Sequence, residues 1–149
     1  MLVHDFADPF DLRFYQFAKL RSFSPLTHRN MPVRCNIDRV QVVGNLLAAE
    51  KVVNSLAVNL TEEASIVQNV DNAINLALLT VRTVAQSYIK GTVPASYIRL
   101  KVVGNITIAK AELHTLNTTD STTQTEIKQA EQLQDDSLIA AEGIVANCS

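Results

Sequence analysis

A chain of 149 residues with 13 basic against 15 acidic side chains and 47% apolar content suffices for one core and carries no general excess of positive charge. Nucleic-acid binding and disorder of the whole chain are therefore not expected. Only four glycines and four prolines occur, against average usage of about 7% and 5%, so turns are few and the elements between them long.

Three of the prolines (Pro9, Pro25, Pro32) and all five phenylalanines fall within the first 32 residues. This composition sets residues 1–34 apart as an irregular, aromatic-rich N-terminal arm, partly disordered or docked, ahead of a helical domain over 35–149. Within the arm, Asp8 and Pro9 open a short amphipathic stretch that places Phe10, Phe14 and Phe17 on one face. A packing site for these rings is expected on the first helix, where Val43, Leu47 and Val58 lie away from its main seam. Arg13, Lys19 and Arg21 would suit an anionic surface, but membrane contact is not the expectation, because ring packing on the bundle needs nothing further.

From Cys35 onward apolar residues recur at steps of three and four: Cys35, Val42, Leu46, Ala49, Val53, Leu56 and Leu60, with Arg39 in the one polar slot. That spacing is one face of a helix. Thr61 followed by Glu62 and Glu63 predicts the cap and first turn of a second helix. Its seam runs Val67, Val70, Ile74, Ala77, Val81, Val84 and Tyr88, and it stops at Lys90-Gly91. A third helix is predicted with Pro94 at its first position, carrying Ile98, Val102, Ile106, Ala109, Leu113 and Leu116 on one side. Asp120, Ser121 and Thr122 then cap a fourth, whose stripe includes Ile127, Ala130, Leu133, Leu138, Ala141 and Val145. Its Thr- and Gln-rich opening, 122–134, has modest propensity and is expected to fray.

The tetrapeptide Val42-Val43-Gly44-Asn45 returns as Val102-Val103-Gly104-Asn105. Shifting both early seams by the same 60 positions reproduces the later ones without a gap, except that Gln134 and Ser137 stand where Ile74 and Ala77 do. The expected fold is thus all-α: an up-down-up-down four-helix bundle whose repeat admits a duplicated helical hairpin. Such topology returns the fourth helix to the start of the first. It brings Cys35 and Cys148, the only two cysteines, toward each other, and a disulfide between them is expected.

Asn59, Asn105, Asn117 and Asn147 each head an Asn-x-Ser/Thr sequence. Asn59 and Asn117 fall at the expected turns of one bundle end, and a bridge at Cys148 would compete with modification of Asn147. Sequons together with a pairable cysteine pair point to an oxidising, secretory environment. The opening Met1 to Pro9 shows no signal-peptide pattern, so an extracellular location is expected without a visible leader.

Catalytic constellations are missing. His4, His28 and His114 are scattered, Gly44, Gly91, Gly104 and Gly143 are isolated, and no nucleophile elbow or phosphate loop occurs. Glu131, Asp135 and Asp136 read as a solvated acidic stripe rather than ligands. No enzyme activity, metal or cofactor is expected. In helix count and size the chain resembles plant inhibitors of invertase and pectin methylesterase; it lacks their four-cysteine pattern, so no site residue follows from that resemblance. The sequence leads to a secreted, non-enzymatic bundle that binds a protein partner or a small apolar ligand. The alternative is an intracellular structural or assembly protein that oligomerises through its helices.

Overall fold

A computed structural model describes residues 33–147. Phe10, Phe14, Phe17, His4, His28 and Cys148 lie outside the described residues, as does the expected arm apart from Val33 and Arg34, which already belong to the first helix. The described chain is four helices and no strand: α1 (Val33–Asn59), α2 (Ala64–Ile89), α3 (Ser96–Leu113) and α4 (Ser121–Asn147).

The helix boundaries have local causes. Thr61 does not cap α2; the helix begins at Ala64, where the amides of Ile66 and Val67 bond the Glu63 carbonyl at 2.9 and 3.1 Å. Buried Leu60 holds the preceding turn in place, its amide on Leu56 O at 2.8 Å. At the other end of α2 the glycine stop forms as expected. Gly91 has φ +71°, and the amides of Thr92 and Gly91 bond Ser87 O and Tyr88 O at 2.9 and 3.0 Å, closing the orphan carbonyls. Pro94 is buried two residues before α3 rather than at its first position. α4 runs unbroken from Ser121, and the expected fraying is offset by Asp120, whose Oδ2 accepts from both the amide and the hydroxyl of Thr123 at 2.7 Å.

Each helix touches two neighbours and none crosses the diagonal, so α1 faces α3 across the core and α2 faces α4. Direction is fixed by polar pairs. Ser55 and Asp38 of α1 meet Glu126 and Asn147 of α4, and Lys110 and His114 of α3 meet Asp135 and Glu131, so α4 runs antiparallel to both. α1 packs most closely on α4, and α2 on α3. Part of that closeness comes from Gly143, where a Cβ would lie 2.6 Å from Asp38 Oδ2.

The core repeats along the chain. Val42, Leu46, Ala49, Val53 and Leu56 of α1 are buried, and so are the residues 60 positions later, Val102, Ile106, Ala109, Leu113 and Leu116. Val67, Val70, Ile74, Ala77, Val81 and Val84 of α2 are likewise matched by buried Ile127, Ala130, Gln134, Ser137, Ala141 and Ile144. The same shift turns the close pair α1/α4 into the close pair α3/α2. Burial and packing thus both obey the register of a duplicated helical hairpin, and the two halves meet as pseudo-equivalent partners. Each large aliphatic side chain so buried contributes about 1.5–3 kcal/mol.

Two polar residues interrupt the seam. Ser137 is 0% exposed and donates its hydroxyl to Leu133 O at 2.7 Å. Gln134 is also 0% exposed, and neither amide atom has a hydrogen-bond partner.

Candidate functional site

The end of the bundle where α1 starts and α4 finishes is built from one turn of each helix. Cys35 is fully buried in the first turn of α1, and one turn later Asp38 turns toward Gly143 and accepts from Asn147 Nδ2 at 3.2 Å. Arg39, the polar slot in the seam, lies over the ring of Tyr88 with its central carbon 4.1 Å from the ring centre. The residue that precedes Cys148 is therefore held against the first helical turns of α1.

At the opposite end, the two turns α1–α2 and α3–α4 border a cleft of about 500 Å³ lined by Asn59, Leu60, Thr61, Glu62, Glu63 and 117–119. Asn59 and Asn117 are both exposed there. Asn59 donates from Nδ2 to Glu126 Oε2 at 3.1 Å, while Ser55 holds the other carboxylate oxygen at 2.8 Å. The remaining two sequon asparagines are placed differently. Asn105 is half-buried inside α3, where the Thr107 hydroxyl is given to Val103 O at 2.9 Å, and Asn147 is half-buried on Asp38.

The surface expected to receive the aromatic arm divides. Val43 and Leu47 are half-buried against the core, whereas Val58 is exposed. A different apolar surface stands out, away from the seams. On the outer side of α1 lie Ile37, Val40 and Gly44; 60 positions on, the outer side of α3 carries Tyr97, Leu100 and Gly104, followed by Ile108. These five large side chains are 50–69% exposed, and a Cβ on either glycine would meet nothing within 4 Å. The signal in the sequence is weak: α1 and α3 mix polar and apolar residues around their circumference, so no second seam is marked out by spacing.

The three residues of the expected acidic stripe on α4 are engaged in pairing. Asp135 pairs with Lys110, Glu131 with His114 at 2.7 Å, and Asp136 accepts from Gln132 at 3.0 Å. These bonds tie α3 to α4 and brace α4 along its own length. Among the described residues no group of three or more His, Cys, Asp or Glu is arranged to hold a metal ion, and no helix is long and apolar enough to cross a membrane.

Comparison with known proteins finds no matching family model, no matching curated sequence and no matching solved structure. The functional reading rests on the geometry.

Proposed function

We propose that the chain is a secreted, non-enzymatic helical-bundle domain that acts by binding a protein partner. The observation that carries this reading is the pair of repeat-related apolar stripes on the outer sides of α1 and α3. Large aliphatic and aromatic side chains left half or more exposed around a bare glycine offer a flat, close-approach surface of the kind helix-to-helix contacts use. An apolar ligand between the helices is less favoured. The seam is filled by side chains at or near zero exposure, and the cleft between the turns is lined mainly by polar residues.

The extracellular part of the proposal is supported by position. The start of α1 and the end of α4 lie together, as a Cys35–Cys148 bridge needs, and Asn59 and Asn117 stand exposed on the far end, clear of that bridge. Asn105 and Asn147 are poorer acceptors on the same grounds. Intact-mass analysis of protein from secreting eukaryotic cells, before and after reduction and glycosidase treatment, tests the compartment. A two-hydrogen gain on reduction and a glycan mass loss are expected; a mass unchanged by both would overturn it in favour of an intracellular assembly protein. For the surface, Val40→Glu and Leu100→Glu should abolish partner capture while leaving the helical signal intact.

A further inference from the structure

The charges of the bundle are sorted along its axis. Around the Cys35 end stand Arg34, Arg39, Lys90, Arg99 and Lys101, with Asp38 and Glu142 as the acidic residues of that end among those described. Around the end bordered by the two turns stand Glu62, Glu63, Glu112, Asp120, Glu126 and Glu131, with Lys110 and Lys128 as the basic residues of that end among those described. The net charge of -2 therefore conceals a basic pole, where the field of several cations adds in one direction.

Within the basic pole the duplication places two arginines alike. Arg39 lies one turn before Val42 and Arg99 one turn before Val102, 60 positions apart, both half-buried on the core-facing side of parallel helices. Arg39 is stacked on Tyr88 through its face, and stacking leaves the edge of the guanidinium for hydrogen bonds. Nε and Nη2 on that edge are shielded from solvent and have no acceptor among the described residues. Asp38, next in sequence, is turned away toward Gly143 and Asn147. Two parallel N–H donors of this kind match the spacing of two oxygens on a phosphate or carboxylate. Leaving them unpaired costs more than leaving a neutral donor so.

We propose that this end of the bundle is an oxyanion site, in which the Nε–Nη2 edge of Arg39 holds a phosphate group within the field of the basic pole. The edge is shielded as it stands, so Arg39 must move for the anion to enter, and the anion then supplies acceptors that the described residues do not. The ligand chemistry is a phosphate monoester or free phosphate. The site is independent of the α1 and α3 stripes, so it stands or falls apart from the partner proposed above.

The test is titration calorimetry and thermal denaturation of the full chain with sodium phosphate, against sodium chloride at equal ionic strength. Saturable phosphate binding with a raised midpoint is expected for the wild type and for Lys51→Gln, a control beyond the basic pole. Arg39→Gln should lose the binding, and Arg39→Lys, which keeps the charge and the fold but not the fork, should weaken it about tenfold. Co-sedimentation with phosphatidylcholine vesicles, with and without phosphatidic acid, separates the sources. Retention by the acidic vesicles that free phosphate competes away assigns the site to a headgroup; phosphate binding without retention assigns it to the free anion. Phosphate acting no more strongly than chloride, or binding equally to Arg39→Gln, would overturn the proposal.

Discussion

Asn147, the last residue of α4, donates from Nδ2 to Asp38 Oδ2 at 3.2 Å across 109 positions of sequence. Through this bond the two ends of the helical domain are in register, and the packing around it explains how closely α4 lies on α1.

The two cysteines of the chain give the first prediction. A bridge between Cys35 and Cys148 would close a loop of roughly 100 residues, for which the chain-entropy model gives about 4.7 kcal/mol. Chemical denaturation under reducing and non-reducing conditions should differ by about 2–4 kcal/mol, because native strain and residual denatured structure reduce the ideal value. Cys35→Ala with Cys148→Ala should match the reduced protein. Equal midpoints in both conditions would remove the bridge.

The glycines should separate by sign. A Cβ at Gly143 meets Asp38 Oδ2 at 2.6 Å and its Cγ at 2.7 Å, so Gly143→Ala must shift the Asp38 carboxylate off Asn147, and losing that bond should leave it about 0.5–1.5 kcal/mol less stable than the alanine variants of Gly44 and Gly104. Gly44 and Gly104 lie inside exposed helix with open space around them, and alanine at either should stabilise by about 0.5–1 kcal/mol. Gly91, at φ +71°, should lose about 1 kcal/mol as alanine. In an Asp38→Ala background the penalty at Gly143 should largely vanish, and urea denaturation of the four glycine variants, Asp38→Ala and this double variant reads every term.

Gln134 is the clearest internal fault in the core. Its repeat counterpart is Ile74, and its amide is buried with both atoms unpaired. Gln134→Leu, similar in volume, should raise stability by about 1–3 kcal/mol, since an unsatisfied buried amide costs that much. A lower melting temperature for this variant would show that a buried water already satisfies the amide.

Acid should loosen α4 from its start. The amide and hydroxyl of Thr123 bond the Asp120 carboxylate and hold its pKa below the usual aspartate value. A lowered folded-state pKa stabilises above the unfolded value, and that contribution is lost as pH falls through the folded one. The protection of the amides of 121–125, with exchange corrected for its intrinsic pH dependence, should therefore fall at low pH in the wild type. In Asp120→Asn, which keeps an acceptor without the titrating charge, this pH dependence should be absent.

Much of the fold was legible before any coordinates because it depends on periodicity and punctuation. The seams of α1 and α2, the stop at Gly91 and the 60-residue repeat are statements about spacing, and a 3.6-residue helix converts spacing into a buried face. The starts of α2 and α3 were less legible. Thr61 and Pro94 are good first-turn residues in isolation, but buried Leu60 and the burial of Pro94 shift each start by two or three residues. The outer stripes escaped because Tyr97 or Leu100 looks no different in sequence whether it is covered or bare.

Residue spacing is enough to show that four apolar faces exist, how long they are and that the second pair echoes the first. Tertiary structure decided which faces meet: α1 with α4 and α2 with α3 as the close pairs, Asp38 against Gly143, Arg39 across Tyr88. The physical reason is that helical period encodes only what one segment must hide. Which partner hides it, and which polar group is trapped in doing so, depends on contacts between residues far apart in the chain.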